Sequence, residues 1–226
     1  ISVTGVQTCA LPIFLEDGRI FTAHTPSGAS TGRYEAHELR DNDERGVETA
    51  VNNVNTKIAP AIIGHKADPY TIDVILSELD PTENHRELGA NSTLATSLAV
   101  TKAAGGENLA RYFDKTEPLL IPMPMVNILS GGAHAAKTMD IQDVLVIPNG
   151  ASSFKEAIGW VMEIRERAAK NGANAGPTFL IADEGGLAIK MPSVTAACEF
   201  IVQSIEDVGL FAGKQVSIGI DFASTQ

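Results

Sequence analysis

Cysteine is nearly absent: Cys9 and Cys198 are the only two in 226 residues, too few to build a disulfide framework. Cys198 falls on the apolar face of a predicted helix, so a reducing, cytoplasmic setting is expected. Basic charge is also scarce, with 17 Lys and Arg against 28 Asp and Glu and a net charge of -11. No Lys/Arg run gathers positive charge locally, which excludes nucleic acid as the main partner. Long apolar runs are missing too. The longest uncharged stretch, Leu119 to Ala136, is broken by Pro122, Pro124, Gly131, Gly132 and His134, so no membrane-spanning helix is expected. Internal repeats and low-complexity tracts are absent. What remains, 44% hydrophobic against 20% charged residues, is the make-up of a packed chain with room for one large or two modest domains.

Val3 to Ile13 resembles the in-frame translation of a sequencing-library adapter, so residues 1–13 are expected to be an artefactual leader and are set aside from the fold. At the other end a predicted strand, Gln215 to Ile220, stands almost at the last residue, Gln226. The expectation is a chain truncated at both ends. Between them, Arg19 to Thr25 reads as a short strand. Val47, Ala50, Val51, Val54 and Ile58 recur at helical spacing, as do Ile72, Ile75, Leu76 and Leu79, and then Leu94, Ala95, Leu98 and Ala99 behind a cap at Asn91 or Ser92. After a linker at Asp114 to Pro118 the pattern changes. Strands are predicted at Ile121 to Leu129 and Ile141 to Ile147, a helix at Ser153 to Lys170, a strand at Phe179, a helix carrying Val194, Ala197, Cys198, Ile201, Val202 and Ile205, and a strand ending at Asp221. This order is the opening of an α/β sheet or barrel.

Asp183-Glu184-Gly185-Gly186 follows an apolar run, and delivers two carboxylates where glycines allow a tight turn or a close ligand approach. Ligands of α/β folds gather beyond the carboxyl ends of strands, where Glu184 and Asp221 are both expected. If the first two strands of the second region form a hairpin, the Ser130 to Asp140 loop brings His134 to the same mouth as Gln142 or Asp143. Period two puts Gln142 and Asp143 on opposite faces, so both serve only with a bulge or a frayed start. Upstream, Ser27, Gly28, Ala29, Ser30, Thr31 and Gly32 form a loop of small donors that either closes over an anion or a metal or is a plain flexible connection.

Ser27 to Gly32, Tyr34-Glu35-Ala36, Glu38-Leu39-Arg40-Asp41, Thr82-Glu83-Asn84, Gly89-Ala90-Asn91 and Ser97 to Val100 resemble, in order and spacing, the amino-terminal domain of enolases. Pro122, Pro124, Asn127, Gly131-Gly132, His134-Ala135, Gln142, Asp183 to Gly186 and Gly219-Ile220-Asp221 resemble the start of the enolase barrel. The resemblance implies a small α+β domain at 14–115, followed at 118–226 by the first part of a TIM-like barrel, incomplete because a whole barrel takes about 250 residues. It implies the reversible dehydration of 2-phosphoglycerate to phosphoenolpyruvate in glycolysis. Magnesium is the implied cofactor, a phosphorylated small molecule the substrate, and a homodimer the assembly. The physical demand of that reaction is clear: an alpha proton beside a carboxylate is weakly acidic, and hard cations with oxygen ligands absorb the charge that develops.

By the same resemblance Asp221 is a metal ligand, and Ser30 meets a second metal when the loop of Ser27, Gly28, Ala29, Thr31 and Gly32 closes. Glu184 is the acid that helps expel the hydroxyl, and Asp143 stands at a second catalytic position. His134 and Gln142 contact substrate. No lysine of this sequence is carried into the general-base role. Three positions depart from the enolase pattern: Asp143 replaces Glu, Ser130 replaces Asn and Ala136 replaces Gly. The shorter carboxylate withdraws by about 1.5 Å, a misplacement that can cost about a hundredfold in rate. A different magnesium-dependent lyase on this scaffold, or a non-catalytic enolase-like binding protein, are the alternative expectations.

Overall fold

Alternation of Leu11 and Ile13 makes Ala10–Phe14 the first strand, β1, of a computed structural model that describes residues 10–225 apart from 29–30, 42–45, 117, 119, 176–179 and 183. Within its elements the side chains of Ala10, His134, Asn174, Ala175 and Leu180 lie outside the description. The chain divides into two units, Ile1–Gly28 with Arg33–Leu119, and Ala29–Gly32 with Leu120–Gln226.

In the first unit β1 pairs antiparallel with β2, Ile20–His24, through Leu11↔Ala23 and Ile13↔Phe21. Leu11, Ile13 and Ala23 are buried in its core. Setting residues 1–13 aside from the fold is therefore corrected at its far end: a Leu-Pro-Ile alternation buries one face of a strand whatever its origin. Helices α1 (Glu48–Asn53) and α2 (Ala59–Ile62), joined by a π turn at Val54–Ile58, lead to α3 (Pro69–Leu79). Then come α4 (Ala90–Gly105) and α5 (Leu109–Phe113). The expected cap at Asn91 or Ser92 is not used. Gly89 caps α4, the Asn91 side chain bonds both backbone groups of Leu39, and the Ser92 hydroxyl donates to the Leu88 carbonyl at 2.7 Å. Both side chains are buried in the first turn of the helix, where backbone outside it competes for them.

The second unit is built on a five-stranded sheet in the order β5-β6-β3-β4-β7. Strand β3 is Val126–Ser130, β4 Asp143–Ile147, β5 Leu180–Ile181, β6 Leu187–Ala188 and β7 Ser217–Asp221. The strand expected from Ile121 starts late because Pro122 and Pro124 have no N–H to give a ladder. The antiparallel β3/β4 hairpin is as the sequence suggests. Helices α6 (Phe154–Ala175) and α7 (Val194–Glu206) bury Val161, Ile164, Ala168, Ala197, Ile201 and Ile205 with Ile128, Leu129, Val144 and Val146 of the sheet. The sheet is open among the described residues, as an incomplete barrel requires. Among the same residues no helix is long and apolar enough to cross a membrane.

Candidate active site

Three neighbouring strands present polar residues at one level. Ser130 at the end of β3 pairs with Asp143 at the start of β4, and Asp143 pairs with Asp221 at the end of β7. Residues directly opposite in an antiparallel ladder share a face, so two strand spacings of about 5 Å put the outer members roughly 10 Å apart at their backbones. Gln142 lies just before β4 and donates its N–H to the Asp221 carbonyl at 3.0 Å. The Gln142 carbonyl accepts the Gly131 N–H at 2.6 Å, so the backbone at Gln142 is bonded on both sides and the start of β4 is not frayed.

Asp143 is buried, and its Oδ1 accepts from the Ser130 hydroxyl at 3.0 Å and from the Asn127 amide. Asn127 also donates to Ser130 Oγ at 2.8 Å. A regular strand would send Asn127 and Ser130, three apart, to opposite faces. The register shift between Asn127 and Leu129 supplies an extra residue that returns them to the same one. Two of the departures from the family pattern, Ser130 and Asp143, are therefore in direct contact. Asn127 is the site neighbour that sequence reasoning missed as a functional residue: its signal was present, but period two hides it.

Glu184 is not at the carboxyl end of a parallel strand. It sits in the turn of the short antiparallel β5/β6 hairpin, and only β6 runs parallel to β3, through Leu129↔Leu187. The turn closes by Gly185 N–H to the Ala182 carbonyl at 2.8 Å and Ala182 N–H to the Gly186 carbonyl at 2.9 Å. Gly185 has φ +84°, the left-handed geometry expected of glycine in a three-residue hairpin. Gly186 answers a different demand, since a Cβ there would meet Ser130 Oγ at 2.2 Å and the Asn127 side chain at 2.9 Å. The turn bearing Glu184 is thereby seated on the Asn127/Ser130/Asp143 cluster, while the Glu184 side chain itself is exposed.

Asp221 is also exposed, with Oδ1 accepting from Ala223 N–H at 2.9 Å, so it caps the following turn as well as offering a carboxylate. Gln142 Oε1 is buried without a hydrogen-bond partner among the described residues. His134 lies in a 3-10 turn, Gly132–Ala135, and its side chain is outside the description. Ala136, where the family pattern has glycine, takes φ +52° next to it, a conformation that costs a non-glycine residue about 1 kcal/mol or more. Ala29 and Ser30 lie outside the described residues, whereas Thr31 is exposed and Gly32 lies against Thr225 just beyond β7. Ser27 donates to Glu38 Oε2 at 2.9 Å in the first unit, and Gly28 precedes the division between units.

The donors suit a hard cation in kind. An exposed Asp221 carboxylate and an orphaned buried Gln142 carbonyl oxygen are oxygen ligands of the sort magnesium takes, although no group of three or more His, Cys, Asp or Glu gathers around a common point among the described residues. Comparison with known families agrees with this architecture. Residues 1–114 match the enolase N-terminal domain and residues 118–226 match the enolase C-terminal TIM barrel domain. Both units therefore carry the same ancestry, and the chain belongs to the enolase family.

Proposed function

We propose that the protein is a lyase that reversibly dehydrates 2-phosphoglycerate to phosphoenolpyruvate. The observation carrying this reading is the Ser130–Asp143–Asp221 row across three strands of the second unit, with Gln142 beside it and the Glu184 turn packed on Ser130 through Gly186. In this reading Asp221 and, on loop closure, Ser30 hold magnesium, which when bound stabilises the negative charge developing on substrate. Glu184 supplies the proton that leaves with the hydroxyl. Gln142 Oε1, an acceptor otherwise unmet, takes a substrate hydroxyl, and His134 contacts substrate from its loop. Closure of the Ser27, Gly28, Ala29, Thr31 and Gly32 loop excludes water. Asp143, enclosed by Asn127 and Ser130, shapes the floor of the site. A homodimer working in the cytoplasm belongs to the same proposal.

The enclosure of Asp143 also favours a second reading, a different magnesium-dependent lyase, because a buried and doubly bonded carboxylate is not open to a reacting group. The test is ultraviolet detection of phosphoenolpyruvate formed from 2-phosphoglycerate by the full-length protein, with magnesium and with chelator. Magnesium-dependent turnover is expected. Magnesium binding without turnover selects the second reading, and neither binding nor turnover leaves a non-catalytic protein.

A further inference from the structure

The Glu184 carboxylate has no hydrogen-bond partner among the described residues, so its position is set by the backbone that carries it. That backbone has little rigidity of its own. Strand β6 is two residues long and meets β3 only through Leu129↔Leu187, and two adjacent glycines follow Glu184. One outside clamp is the seating of Gly186 on Ser130 and Asn127. The other comes from a different element. Arg165, half-buried on α6 beside the fully buried Ile164, donates from its guanidinium to the Gly185 carbonyl at 2.8 Å. A charged donor makes this bond roughly twice as strong as a neutral one.

We infer that Arg165 is a positioning residue for Glu184: it pins the Gly185–Gly186 peptide to α6 and so holds the acid over the Ser130–Asp143 row. The inference rests on the acid role given to Glu184 above, but its anchoring half stands apart from that role. Helix α6 packs on β3, so the clamp ties the turn to the same framework that holds Asn127 and Ser130. A lysine reaches with one ammonium instead of a planar fork and replaces the arginine only in part.

The test uses the full-length protein with Arg165→Met, Arg165→Lys and Glu184→Gln. Amide exchange at Ala182 and Gly185, whose N–H groups close the turn, is expected to quicken about tenfold in R165M with core amides such as Ile201 unchanged, and to recover in part in R165K. With 2-phosphoglycerate, kcat is expected to fall about tenfold to a hundredfold in R165M while KM holds, and to fall no further when R165M is added to E184Q. Unchanged exchange at Ala182 and Gly185 overturns the anchor, whether or not 2-phosphoglycerate is turned over. An equal kcat loss from R165M in the wild-type and E184Q backgrounds overturns action through Glu184. A wild-type protein that ignores 2-phosphoglycerate refutes the proposed reaction instead, and the exchange result then decides the anchor alone.

Discussion

The Ser130 hydroxyl donates to the Asp143 carboxylate across 3.0 Å with both side chains buried, and the Asn127 amide donates to the same oxygen. Ser130→Ala removes one of two donors and is expected to cost about 1–2 kcal/mol, whereas Asp143→Ala strands both donors and should cost about 2–4 kcal/mol. Asp143→Glu adds a methylene to a buried side chain already enclosed by Asn127 and Ser130, an overpacking worth about 1–3 kcal/mol. Equilibrium urea unfolding reads all three. Additive losses in the Ser130/Asp143 double mutant would mean the two groups do not interact in solution.

The two glycines after Glu184 answer to different constraints, and their alanine variants separate them. Gly185→Ala meets open space but must keep φ +84°, so a loss of about 1 kcal/mol is expected from backbone strain alone. Gly186→Ala drives a methyl into Ser130 Oγ and should cost more, about 2–4 kcal/mol, and displace the turn. Thermal unfolding that ranks the two variants in the opposite order would remove Gly186 from the seat described for it.

Much of the second unit is legible from periodicity because α6 and α7 each bury one stripe, so apolar residues three and four apart in sequence mark the helices. The β3/β4 hairpin is legible for a similar reason. The hairpin under Glu184 is only half legible: an apolar run announces the strand that enters it, whereas β6, two residues long, is too short to display a period and hides behind the glycines. Asn127 escapes because the bulge breaks strand alternation, and Arg165 because a side chain bonding a distant carbonyl leaves no local pattern. Residues 10–13 mislead in the other direction, since their resemblance to an adapter masks a Leu-Pro-Ile alternation that packs normally.

Asp80 predicts an acid-sensitive first unit. Burial pushes its carboxyl up, but that is outweighed by the Leu88 N–H at 2.8 Å, the Thr82 hydroxyl and N–H, and the Glu87 N–H at 3.0 Å, leaving it below the ordinary aspartate value. A depressed folded-state value means its stabilisation is complete above the unfolded value of about 3.9 and is lost as pH falls through the folded one. Asp80→Asn should therefore be less stable than wild type at neutral pH by about 1–3 kcal/mol, with the gap closing below pH about 4. Urea midpoints across that range provide the measurement, and a gap that stays constant with pH would exclude the carboxylate as its source.

Asp221 offers the sharpest separation between a structural and a metal-binding role. Its Oδ1 already accepts the Ala223 N–H at 2.9 Å, and asparagine can accept the same bond, so Asp221→Asn preserves the turn while removing the charge. A cation held by the native protein alone stabilises it by an amount that grows with the logarithm of its concentration above the dissociation constant, about 2.7 kcal/mol at a hundred times that constant. In the full-length protein, magnesium should raise the wild-type melting temperature, and the variant should lose most of that rise while melting close to wild type in chelator. A variant that melts low in chelator yet keeps its full response to magnesium would assign Asp221 to the turn and place the cation on other oxygens.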